Sequence, residues 1–169
     1  MKKFALTVVA IAFAAMLLTG SASAQMGVAV IWDGGGVAPI FALPIQMGEA
    51  MVIQPMAAFQ WVADKGPNPG TAFMLGGSLE AHMGEGDTRG LFGGKVAVEI
   101  TSPKVGDSFT DFAIGAFIGG TAKLADNVSL VGQWGPTMTL VGKRVSGGDS
   151  YAMLSSDASI TLRWWVFGN

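Results

Sequence analysis

Apolar and polar residues alternate along most of this chain, most clearly at its end. Across 151–167, Leu154, Ala158, Ile160, Leu162, Trp164 and Val166 share one side of an extended backbone, and Ser155, Asp157, Ser159, Thr161 and Arg163 share the other. Trp165 and Phe167 break the polar side only at the last positions. A period of two sends successive side chains to opposite faces of a strand. Eight such segments are predicted, at residues 26–33, 37–47, 50–64, 71–83, 89–102, 109–123, 127–143 and 151–167. In the third, Met51, Ile53, Ala57, Phe59 and Trp61 oppose Gln54, Gln60 and Asp64, and in the fourth, Phe73, Leu75, Leu79 and Ala81 oppose Ser78, Glu80 and His82. In the fifth, Phe92, Val96, Val98 and Ile100 oppose Lys95, Glu99 and Thr101, and in the sixth, Phe112, Ile114, Ala116 and Ile118 oppose Asp111, Thr121 and Lys123. In the seventh, Leu130, Trp134, Met138 and Leu140 oppose Ser129, Gln133, Thr137, Thr139 and Lys143. The first two segments are apolar on both faces, and the pattern assigns them no sides.

One alternating strand fits either a water-soluble barrel or sandwich with an apolar core, or a membrane barrel whose apolar face meets lipid. The charges discriminate. Within strands three to eight, Glu80, Lys95, Glu99, Asp111, Lys123, Asp157 and Arg163 all fall on the polar side. A solvated face would carry many more charges for solubility. A few ions of both signs among Ser, Thr, Gln and Gly suit a narrow interior, where an unpaired charge is costly. Pairing of Lys95, Lys123 and Arg163 with Glu80, Glu99, Asp111 and Asp157 is expected to close that interior. Pro55 and Pro136 fall on the apolar side, so a bulge or strand end is expected at each.

The connections alternate in length. Gly48-Glu49, Gly84–Asp87 and Ala125-Asp126 are short, whereas Lys65–Gly70, Ser102–Ser108 and Arg144–Ser150 are longer. That rhythm, with an even strand count, predicts short turns and both termini at one end of a closed barrel. At the start, Lys2 and Lys3 precede the uncharged apolar run Phe4–Leu18 and the small residues Gly20–Ala24, with Ala22 and Ala24 before Gln25. This is the pattern of a cleaved secretory signal. The expected fold is therefore all-β, an eight-stranded antiparallel up-and-down transmembrane β-barrel, with a signal peptide over 1–24 and a single barrel domain over 25–169.

Composition agrees. Without Lys2 and Lys3, eight Lys and Arg face twelve Asp and Glu, and Lys143-Arg144 is the only adjacent basic pair, so no nucleic-acid surface is expected. Cysteine is absent, which excludes disulfides and thiolate metal sites. Mean hydropathy is high for an exported chain, yet Pro and Gln interrupt the uncharged runs 34–48 and 50–63. Apolarity without apolar helices points to strands facing lipid.

The segments LPIQMGEAMVIQPMAAFQW (Leu43–Trp61) and KLADNVSL (Lys123–Leu130) resemble hairpins of small outer-membrane β-barrel proteins of the OmpA/OmpX-like porin group. The resemblance spans nearly all of residues 25–169 at the level of pattern. It implies the outer membrane of a Gram-negative-type envelope, contact with outer-membrane lipid, and barrel-assembly machinery as a partner during insertion. That machinery recognises a terminal aromatic residue. Phe167 stands nearest that place, on the polar phase and followed by Gly168 and Asn169, with Val166 or Trp164 as alternatives.

The candidate interior network is Glu80, His82, Lys95, Glu99, Asp111, Lys123, Asp157 and Arg163. His82 is the only histidine, and Glu80 lies two residues before it on the same face. A lipid-modifying enzyme would use such a pair beside a nucleophile; the plainer reading is a hydrogen-bonded interior histidine. Gly34–Gly36 lacks the following helix and Lys of a phosphate loop. Asp107, Asp126 and Asp149 suit turns, and the ten methionines suit irregular gaps. Trp32, Trp61, Trp164 and Trp165 suit interfacial belts, with Trp134 out of place at mid-strand. No catalytic, cofactor or metal site is expected. A small barrel with a side-chain-filled interior and a structural or surface-interaction role is the leading expectation. A soluble lipocalin-like binder of apolar ligands is the alternative.

Overall fold

The structure, a computed structural model, describes residues 25–33, 39–62, 70–142 and 149–167. The signal segment 1–24, Gly34–Gly36, Asp64, Lys143-Arg144, Gly168 and Asn169, and most of the 65–70 and 144–150 loops, lie outside the described residues. The strands are β1 (Gln25–Asp33), β2 (Ile40–Ala42), β3 (Ile45–Met47), β4 (Met51–Val62), β5 (Gly70–Met83), β6 (Thr88–Pro103), β7 (Phe109–Ala125), β8 (Val128–Val141) and β9 (Tyr151–Phe167). Each pairs antiparallel with its neighbours, and β1 pairs with β9 to close the sheet on itself. β2 and β3 both pair with β1 and β4, so together they form one interrupted stave. The result is a closed eight-stave barrel. Closure leaves no open edge, as a hydrocarbon surrounding requires. Among the described residues, no helix is long and apolar enough to cross a membrane.

The expected strand 37–47 is thus two short strands rather than one. The break falls at Leu43-Pro44, where proline has no N–H to give the ladder. Pro55 sits opposite. Its carbonyl accepts from Leu43 N at 3.0 Å, so its own missing N–H points at the same break. Pro44 O in turn accepts from Gly27 N at 2.9 Å. Pro136 falls where the β7–β8 ladder lapses, between the pairs Gly115↔Thr137 and Ile118↔Trp134. Both prolines therefore sit at irregularities, at no cost to a continuous ladder.

Closure also has a local requirement. A register shift lies between Met26 and Gly27 in the β1–β9 pair. A Cβ on Gly27 would stand 2.3 Å from the Trp164 carbonyl oxygen, so only glycine fits that approach. The short connections at 48–50, 84–87 and 126–127 share one end of the barrel with Gln25 and Phe167. Gly48, Gly84 and Gly86 adopt φ of 65°, 88° and 89° in those turns, a region open to glycine.

The faces settle as the alternation predicts from β4 onward. Phe59, Trp61, Ile118, Trp134 and Ile160 point outward, each more than half exposed. Glu80 and Arg163 point inward and are fully buried. The structure also assigns the strands the sequence left open. Val28, Trp32 and Phe41 face out, while Ala29, Ile31 and Ala42 face in and form an apolar cluster with Ile40 and Met56.

Candidate functional site

The interior is where the chain concentrates its chemistry, and the strand order decides which side chains can meet there. With β2 and β3 as one stave, β5 and β9 stand diametrically opposite. A contact between them must cross the whole bore.

That contact is made. Arg163 Nη2 on β9 donates to Glu80 Oε1 on β5, and both residues are fully buried. Arg163 Nε donates to Gln54 Oε1 on β4 at 3.0 Å, and Gln133 Nε2 on β8 donates to Glu80 Oε1 at 2.8 Å. His82 Nε2 lies 3.3 Å from Glu80 Oε2. Four staves are thereby tied together at one level, nearer the turn end. Charge-assisted bonds of this kind are about twice as strong as neutral ones. A buried carboxylate and guanidinium need each other, since each alone is heavily penalised.

A second tie lies farther toward the loop end. Lys95 Nζ on β6 donates to Asp157 Oδ2 on β9 at 3.0 Å, and Ser155 Oγ donates to Asp157 Oδ1 at 3.2 Å. Both ionic side chains retain about a quarter of their exposure, so this pair is more open to water.

The other members of the candidate network do not join these ties. Lys123 bonds Asp126 at 2.8 Å across its own turn, both side chains exposed. That hydrogen bond, and then the ammonium charge, hold the Asp126 carboxyl below its usual range. Glu99 is exposed near the loop end and accepts from Thr101 Oγ1 at 3.3 Å. Asp111 Oδ1 accepts from the Gly142 backbone N–H at 2.8 Å and holds the end of β8.

Sequence reasoning also missed partners. Gln54 and Gln133 were legible as polar-face residues, but nothing in the pattern marks them as ligands of the central ion pair. Leu91, Phe117 and Val131 share the phase of Lys95, Asp111 and Gln133, and they form a buried apolar cluster inside the barrel. Phe117 fits because Gly93 is bare: a Cβ there would lie 2.6 Å from the ring's Cζ. Their phase was the available signal. Among the described residues no hydroxyl hydrogen-bonds the His82 side chain, whose partner is Glu80. Among the same residues no group of three or more acidic or histidine side chains could hold a metal.

A scan against protein-family models finds none that matches this chain, and no curated protein matches it either. Among solved structures, the chain is similar to Neisserial surface protein A, with a TM-score of 0.56 at 12% identity over 85% of this chain and 96% of that one. It is also similar to a major outer membrane protein from Thermus thermophilus, with a TM-score of 0.44 at 13% identity over 83% and 99% of the two chains. The likeness to the neisserial protein is one of fold, and it agrees with the closed antiparallel sheet: this chain is folded as a small outer-membrane-type β-barrel.

Proposed function

We propose that this protein resides in an outer membrane, after removal of residues 1–24, as a barrel closed by its own side chains. In this reading it serves as a structural or surface-interaction element rather than a pore. The observation that carries the proposal is the Glu80–Arg163 pair, which spans opposite staves with both partners fully buried. Eight staves enclose a bore just wide enough for side chains. The two ties cross that bore at different levels, and the Leu91–Phe117–Val131 cluster fills the space beside the Glu80 tie, with Phe117 on the row that pairs Glu80 with Gly93. No step of chemistry is assigned to His82, whose hydrogen bond is spent on Glu80. The outward apolar belt supports membrane residence over the lipocalin-like alternative, which needs its apolar face inside.

Planar-bilayer recording tests this directly. The reconstituted barrel is expected to show conductance near baseline. Large, stable single-channel steps would contradict the closed interior.

A further inference from the structure

At the turn end, below the Glu80–Arg163 tie, a polar cavity of about 230 Å³ opens to the outside. Its size lies under the roughly 300–1,000 Å³ of sites that take drug-sized ligands. Arg163 forms part of its floor, with only about 1% of its side chain exposed there. A guanidinium carries five N–H donors in a planar fork. Arg163 spends Nε on Gln54 and Nη2 on Glu80, and its Nη1 has no acceptor among the described residues. His82 lines the same cavity with its side chain 11% exposed. Among the described residues the free donor of the inner part is therefore Arg163 Nη1, with His82 beside it held by Glu80.

At the mouth, among the described residues, three carboxylates face two cations, Lys123 and Arg89. Glu49, Asp87 and Asp126 line it from the three turns. Asp126 is taken by Lys123, but Glu49 and Asp87 meet no cation within ion-pair distance among the described residues. Arg89, the other cation there, donates to the backbone carbonyls of Gly86 and Glu49, each at 3.2 Å. Between donor floor and acidic rim, Trp165 turns inward as part of the wall.

We propose that this cavity binds a small zwitterion of amino-acid or dipeptide size, its carboxylate inward on Arg163 and its ammonium outward between Glu49 and Asp87. The ligand carboxylate would accept from the remaining Nη1 of Arg163 in a charge-assisted hydrogen bond. An ammonium at the mouth meets Glu49 and Asp87, which have no cation within ion-pair distance among the described residues, Lys123 acting on Asp87 only at longer range. This site does not depend on whether the bore above it conducts ions.

The test uses the full barrel, ¹⁵N-labelled in nanodiscs, with the Trp165 indole N–H resonance assigned from a Trp165→Phe sample. Glycylglycine is expected to shift that resonance saturably. Acetylglycine, which keeps the carboxylate alone, and glycinamide, which keeps the ammonium alone, are each expected to bind about tenfold more weakly or worse, the loss of one charged hydrogen-bonding end. Glu49→Gln with Asp87→Asn, both on exposed turns and safe for folding, should bring glycylglycine down to the acetylglycine level and leave acetylglycine unchanged. Arg163→Lys should weaken both. No saturable shift with glycylglycine, equal response to all three probes, or unchanged binding in the turn variant would each overturn the proposal.

Discussion

The two sides of this barrel are built on different principles. From β5 to β9 the inward residues include Glu80, Lys95, Asp157 and Arg163, joined across the bore by directional bonds. From β1 to β4 the inward residues are largely small or aliphatic, with Ala29, Ile31 and Ala42 packed on Ile40 and Met56 and the second stave broken at Leu43-Pro44. The polar side is held by pairing around one apolar cluster, Leu91–Phe117–Val131, and the apolar side by contact and shape alone. Gln54 on β4 is the bridge, reaching from the apolar wall to Arg163.

The contrast makes the polar side the more fragile to a single deletion. Glu80→Ala should cost about 3–5 kcal/mol, because it leaves the buried Arg163 without its carboxylate. Urea unfolding in lipid vesicles reads this as a lowered midpoint. The double variant Glu80→Leu with Arg163→Met should recover most of the loss, since a packed apolar pair can replace a buried ion pair at little cost. If the double variant is as unstable as the single one, the pair itself, and not the orphaned charge, carries the stability.

The apolar side should yield to a change of shape instead. Gly27→Ala pushes a methyl to 2.3 Å from the Trp164 carbonyl, at the register shift where β1 closes on β9. Crowding of that kind costs about 1–3 kcal/mol. It should appear as a loss of the heat-resistant compact gel form, with the polar ties intact. A variant that kept full heat resistance would show the seam to be looser than the structure has it. Lys95→Ala should have the smallest effect, under about 1 kcal/mol, because both partners of that pair remain partly open to water. A loss as large as that of Glu80→Ala would erase the distinction between the two ties.

The same contrast explains what the sequence could reveal. Charges mark one face wherever they occur, so period alone puts Glu80, His82, Lys95 and Arg163 on a common side of their strands. β1 and β2 carry no such marks, and Ala29 and Val28 look alike until closure puts one inside. Which inward residues meet was not legible. Arg163 reaches Glu80 and Gln54 because of the stagger of the closed sheet, a property of all eight staves together. Lys123 and Glu99 have the right phase but lie at the ends, where local bonds to Asp126 and Thr101 win. The split of the second stave needed Pro44 and Pro55 to be seen as facing each other, and residue spacing along one strand does not show that.

The orientation of the faces underlies all of this, and the absence of native cysteine makes it directly measurable. Single cysteines placed in turn from Ala158 to Val166 can be spin-labelled in reconstituted vesicles and tested for collision with oxygen, which concentrates in lipid. Labels at Ala158, Ile160, Leu162, Trp164 and Val166 should collide readily, and those at Ser159 and Trp165 should not, with the packed Thr161 and Arg163 left unchanged. The reverse phase, or no alternation at all, would contradict an apolar exterior around an ionic bore.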